Sequence, residues 1–126
     1  MIFIHESTLN CEAIESRIEK EADAFGLKMK KHFPFSTNLP ESGFEINTHA
    51  SVFELCKPKT AARLLNTQPE LSVLMPCRIS VYEKDGKYFA ATPDLKMQLE
   101  SLVCEKELKG EILDLYKNIT TMIKGW

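Results

Sequence analysis

Residues 73–91, with the sequence VLMPCRISVYEKDGKYFAA, decide the fold of this chain. Residues 73–83 are rich in apolar and β-branched residues and predict a strand, and residues 87–91 predict a second one. The Lys84-Asp85-Gly86 turn between them predicts a β-hairpin. Because side chains alternate between the two faces of a strand, this hairpin can bury one face and expose the other.

Further segments on both sides of the hairpin complete an α+β pattern. A strand is predicted where apolar and polar residues alternate over a short stretch. A helix is predicted where apolar residues recur every three or four positions. The predicted strands are residues 2–6, 27–33 and 50–56, and the predicted helices are residues 11–25 and 60–66. Residues 34–48 have no lasting period and predict a long loop with one helical turn near residues 39–43.

The segment after the hairpin predicts a helical end to the chain. Thr92, Pro93 and Asp94 form a typical helix start. A single helix over residues 93–124 would be about 48 Å long, which is too long for a domain of this size. The sequence therefore predicts two helices with a break near residues 105–110.

Length and composition indicate one compact domain over residues 1–126. The chain is 44% hydrophobic and carries 16 Lys and Arg against 18 Asp and Glu, which excludes a wholly disordered chain. This balance of charge leaves no excess of positive charge of the kind that binds nucleic acid. We expect no membrane contact, because no apolar run reaches the roughly 20 residues of a spanning helix. The first residues lack a signal-peptide pattern, so we expect a cytoplasmic protein.

The cysteines and histidines define no metal site in the sequence. The four cysteines contain no Cys-x-x-Cys pair, and in a reducing compartment we expect free thiols. The three histidines lie far apart, so we predict no metal. The phosphate-binding glycine motifs and the Gly-x-Ser-x-Gly elbow are missing, and the cofactor stays unknown.

The alternation in the central strands predicts a polar face on the sheet. If Phe53 and Ile79 point toward the helices, the opposite face carries a fixed set of polar side chains. That set is Glu54, Cys56, Arg78, Ser80 and Tyr82, with His5 as a further candidate from the first strand. Such a face can bind a small anion through Arg78 or form the seam of a homodimer. Arg78 has a second interpretation as an ion-pair partner of Glu54.

Two cysteines and two tyrosines near this face have more than one interpretation. Cys77 is predicted to point toward the core. Cys56 and Cys77 fit the role of small buried apolar residues, and they are also the candidates for a catalytic thiol. Tyr82 and Tyr88 are predicted to be cross-strand neighbours in the hairpin.

Two motifs resemble the bacterial and archaeal family known as domain of unknown function 302. They are VFELCKPKTAA at residues 52–62 and LMPCRISVYEKDG at residues 74–86, and the resemblance covers about residues 2–100. The matching positions are Cys56, Pro58, Lys59, Ala61, Pro76, Cys77, Arg78, Val81, Tyr82 and Glu83. Lys57 stands where the family has Asn, and residues 101–126 match only as a helical extension.

The resemblance implies a two-layer β-α-β(4)-α sandwich, with a mainly antiparallel sheet and helices on one face. It also implies a homodimer, but it supplies no reaction. Whether the protein is an enzyme therefore stays open. We expect a homodimeric protein that binds a small ligand or a partner on the polar sheet face. The alternative is a thiol-dependent enzyme or a sulfur or redox carrier that uses Cys56 or Cys77.

Overall fold

The computed structural model describes residues 1–126 and contains five strands and five α-helices. The strands are β1 (Ile2–Ser7), β2 (Lys28–Phe33), β3 (Ala50–Cys56), β4 (Cys77–Lys84) and β5 (Lys87–Pro93). The helices are α1 (Cys11–Glu21), α2 (Phe35–Glu41), α3 (Pro58–Thr67), α4 (Leu95–Glu100) and α5 (Lys106–Lys124). The five strands form one sheet in the order β1-β5-β4-β3-β2, and every neighbouring pair is antiparallel. The predicted α+β sandwich is confirmed.

The main core lies between one face of the sheet and helices α1 and α5. Phe53 and Leu55 of β3 and Ile79 and Val81 of β4 are fully buried on this face, as the alternation predicts. Both helices contribute apolar residues at helical spacing. These are Cys11, Ile14 and Ile18 from α1, and Leu115, Ile119, Met122 and Ile123 from α5.

A smaller core joins the carboxy-terminal helices to α3. It consists of Leu64, Leu71, Leu95, Leu99, Leu108 and Ile112. On its surface, Arg63 of α3 forms ion pairs with Glu107 and Glu111 of α5. Residues 101–105 separate α4 from α5, so the predicted break is confirmed a few residues earlier than expected. None of the helices combines the length and the apolar composition that a membrane crossing requires.

Two predicted segments differ most from the structure, and prolines are involved in both. The strand predicted from residue 73 begins only at Cys77, because Pro69–Leu74 forms a 3-10 helix with proline at its start. The predicted loop of residues 34–48 contains the seven-residue helix α2, with Pro40 inside it. The Ser36 hydroxyl of α2 donates a hydrogen bond to the Ala50 carbonyl and accepts one from the Ala50 N–H. These two bonds fix α2 to the start of β3.

We predict that Phe53→Ala lowers the free energy of unfolding by about 3–5 kcal/mol, because the ring is fully buried and its loss leaves a cavity. Phe44→Ala is the matched control. Phe44 is 70% exposed, so its removal should change stability by less than about 0.5 kcal/mol. Chemical denaturation of both variants measures the difference. Equal losses in the two variants would contradict this placement of the core.

Candidate binding face

The sheet face opposite the main core, here named the open face, carries the predicted polar residues. The β3–β4 register pairs Glu54 with Arg78, Val52 with Ser80, and Ala50 with Tyr82. Strand periodicity therefore places Glu54, Arg78, Ser80 and Tyr82 on this face. Cys56 ends β3 on the same side, opposite Lys28 of β2.

One cross-strand row on the open face is charged. Lys31 of β2, Glu54 of β3 and Arg78 of β4 stand opposite one another in turn. The Nε of Arg78 lies 3.5 Å from Oε2 of Glu54, and the Arg78 side chain is 52% exposed. The row carries two cations and one carboxylate, so its formal charge is positive. An anion that approaches the row therefore meets a net attraction, which salt will screen.

An apolar groove of about 330 Å³ lies beside this charged row. Its residues come from the amino terminus and from β1, β3, β4 and β5. They are Met1, Ile2, Ile4, Val52, Arg78, Ser80, Tyr82, Ala91, Thr92 and Pro93. Ile2 and Ile4 are more than half exposed. The groove thus joins hydrocarbon surface to a single guanidinium.

The sequence prediction missed the aliphatic part of this groove because it left the orientation of β1 open. His5 pairs with the fully buried Ala90 and therefore lies on the helix side of the sheet. The prediction that His5 could join the open face was wrong. Its Nε2 is buried and has no hydrogen-bond partner. The alternation of Ile2 and Ile4 was visible in the sequence, but it did not tell which face is buried.

The predicted contact between Tyr82 and Tyr88 was also wrong. Tyr82 stands opposite Phe89 on the open face, where the two rings stack with centroids 5.3 Å apart. Tyr88 pairs with Glu83 and packs against the main core from the helix side. A shift of one residue between two strands is enough to move a side chain to the other face.

Cys56 and Cys77 lie beside a small apolar cavity of about 30 Å³ at one end of the sheet. This volume can hold one or two water molecules. Burial raises the pKa of the Cys77 thiol to about 11, the neighbouring Cys56 thiol adds to the rise, and Arg78 opposes it. Cys77 therefore remains a neutral thiol near pH 7, which disfavours it as a nucleophile.

A second polar cluster lies on the helix side, where sequence spacing gave no sign of it. Glu15 of α1 accepts hydrogen bonds from the hydroxyl of the buried Ser51 and, at 3.0 Å, from Nε2 of His49. Glu12 lies 3.8 Å from the other ring nitrogen of His49. The cluster fastens the start of β3 to α1. No group of three His, Cys, Asp or Glu side chains is arranged to hold a metal ion.

The fold and the open face define a class: small two-layer α+β proteins with one uncovered sheet face. The model of the domain of unknown function DUF302 matches residues 3–125, so the chain belongs to this family. The crystal structure of an uncharacterized conserved protein DUF302 from Bacillus stearothermophilus is 22% identical, with a TM-score of 0.86. The similarity covers 97% of this chain and 94% of that chain, and it shows the fold alone. Among curated proteins, nothing matches the chain.

We predict that Cys77 resists alkylation by iodoacetamide at pH 8 in the folded protein. Below a pKa of about 11 its thiolate fraction is small and rises about tenfold per pH unit, so its labelling rate should rise by that factor up to pH 10. Mass spectrometry of the peptides, sampled over time, measures the rate at each cysteine. A rate that levels off near pH 9 would contradict the burial of this thiol.

Proposed function

We propose that this chain is a binding protein that takes a small amphipathic anion on the open face. The observation that supports this most is the apolar groove with Arg78 inside it. Ligand sites combine an apolar surface that supplies affinity with a few polar groups that fix orientation. A carboxylate with a short hydrocarbon chain has the matching chemistry, and the proposal requires no catalytic residue.

The surroundings of Arg78 favour a role beyond its ion pair with Glu54. Continuing the β4–β5 register places Pro93 opposite Arg78, and proline has no N–H to donate. The Arg78 carbonyl instead accepts a hydrogen bond of 2.7 Å from the Thr92 hydroxyl, which secures the backbone at this position. Glu54 is 3.5 Å from the guanidinium Nε, which leaves the remaining donors for a ligand carboxylate.

We also propose that the protein is a homodimer. Met1, Ile2 and Ile4 are between 53% and 73% exposed and lie next to one another at one corner of the sheet. Adjacent exposed aliphatic side chains are typical of interaction surfaces.

Four unpaired cysteines support a cytoplasmic location.

The thiol-dependent alternative keeps Cys56 as its main candidate. Cys56 is partly exposed, stands opposite Lys28, and precedes the amino terminus of α3 at Pro58. Catalytic cysteines occupy partly exposed sites with electropositive neighbours, and these three features match that setting. This second proposal requires that Cys56 react with iodoacetamide much faster than a free cysteine at pH 7. An ordinary rate at Cys56 would rule it out.

We predict that the protein binds octanoate saturably and that Arg78→Gln weakens this binding about tenfold, as expected for the loss of a charge-assisted hydrogen bond. Isothermal titration calorimetry measures the dissociation constant. Shortening the ligand to hexanoate should weaken binding by up to about fourfold per methylene removed, in both proteins. Chain-length dependence tests the groove, and Arg78→Gln tests the anion contact.

Lys84→Gln is the matched control, because it removes one positive charge from the same strand outside the groove. Octanoate affinity should stay unchanged in this variant. If the unmodified protein shows no saturable octanoate binding, the proposed ligand class is wrong. Equal weakening by Arg78→Gln and Lys84→Gln would show only a general charge effect and would overturn the role of Arg78.

A further inference from the structure

We propose that two copies of this chain pair along the free edge of β1, which makes one continuous ten-stranded sheet. The inference rests on the proposed homodimer and names the surface that forms it. β1 pairs only with β5, so its outer backbone edge has no strand partner. An unpaired edge is a template for another strand.

The two edges of the sheet differ in their protection against such pairing. The edge strand β2 carries Lys28, Lys30 and Lys31, and a register shift lies between Met29 and Lys31. Lysines and bulges are common devices that prevent edge pairing. β1, with the sequence IFIHES, has no lysine, no proline and no register shift against β5. β2 is therefore a protected edge, and β1 is an open one.

The hydrogen-bond phase of β1 identifies the groups at its free edge. The Asp94 N–H donates to the Met1 carbonyl, and this pair continues the β1–β5 register. Because hydrogen-bonded and non-hydrogen-bonded pairs alternate in an antiparallel ladder, residues 3, 5 and 7 bond β5. Ile2, Ile4 and Glu6 consequently direct their N–H and C=O groups outward. Pro93, which cannot donate, stands opposite Ile2, in agreement with this phase.

One antiparallel register uses all these outward groups. A two-fold axis at Ile4 pairs Ile4 with Ile4 of the second copy, and pairs Ile2 with Glu6 in both directions. All three pairs are then of the hydrogen-bonded type. Phe3 and His5 meet across the axis on the helix side, where an aromatic pair is favourable. A β2 pair would instead bring lysines against lysines.

The same pairing extends the binding groove. Ile2 and Ile4 form one wall of the groove on the open face, directly beside the free edge. The partner's Ile4 adjoins this wall across the two-fold axis, and the partner's Glu6 lies opposite Ile2. The two grooves then lie side by side on one face, and each is bordered by the second copy.

The first test places charge at the self-paired position. Ile4→Lys puts two ammonium groups on directly opposed residues, which should weaken the dimer at least about tenfold in sedimentation equilibrium. Ile4 is 53% exposed, so the fold should persist, and circular dichroism checks it. Met29→Lys is the matched control, because it adds the same charge to the half-exposed side chain of the other edge strand. We expect no change in its dimer.

The second test is a disulfide that only this register allows. In a Cys56→Ser background, Ile4→Cys thiols of two copies lie on Cα atoms about 5.5 Å apart, within disulfide range. Oxidised glutathione is the oxidant: it takes two electrons and two protons from the two thiols, which become the disulfide, and is released as two molecules of reduced glutathione. Ile2→Cys should not cross-link, since its two copies are offset by four residues, or about 13 Å. If the two copies instead stacked their sheets face to face, the Cα atoms at position 4 would lie about 10 Å apart, which is too far for a disulfide.

The outcomes separate this inference from the broader proposals. A strictly monomeric protein overturns the homodimer and the β1 pairing, while octanoate binding is measured independently. A dimer that tolerates Ile4→Lys and forms no Ile4→Cys bond overturns the β1 pairing and leaves the homodimer. A selective Ile4→Cys bond with a weakened Ile4→Lys dimer supports the pairing. If Ile4→Lys fails to fold, the cross-linking pattern decides alone.

Discussion

One-sided burial of a five-stranded antiparallel sheet is the constraint on which the rest of this structure depends. Phe53, Leu55, Ile79 and Val81 lose all solvent contact against α1 and α5, and this burial is the dominant stabilising contribution. Because strand side chains alternate, fixing these four inward also fixes their neighbours outward. With α1 and α5 packed on one face, these outward side chains lie outside the main core.

Glu54, Arg78, Ser80 and Tyr82 could be assigned to one face from sequence because β3 and β4 alternate clearly. β1 could not be oriented, since each of its faces mixes apolar and polar residues and only the β5 register decides that His5 lies on the helix side. The 3-10 helix at Pro69–Leu74 escaped prediction because its apolar residues resemble the start of β4. The cluster of His49, Glu15 and Ser51 joins segments distant in sequence, so no spacing rule reveals it.

The two cysteines of the family motifs show why a motif position does not by itself indicate reactivity. Cys77 begins β4 on the core side, where desolvation disfavours its thiolate. Cys56 ends β3 near Lys28 and the start of α3. Their strands are neighbours and both thiols are partly exposed, but the alternation turns Cys77 toward the core and Cys56 toward the open face. Of these two thiols, Cys56 is therefore the better candidate for the proposed thiol chemistry.

Groove and edge are physically linked, because Ile2 and Ile4 belong to both. A ligand that contacts the second copy's Ile4 as well as Arg78 would bind the dimer more tightly than the monomer. By mass action such a ligand would stabilise the proposed dimer, and dimer formation would raise ligand affinity by the same factor. Octanoate is the ligand to use, and sedimentation equilibrium with and without it measures the factor. Hexanoate, being shorter, should show less coupling, because its chain covers less of the aliphatic wall at the two-fold axis.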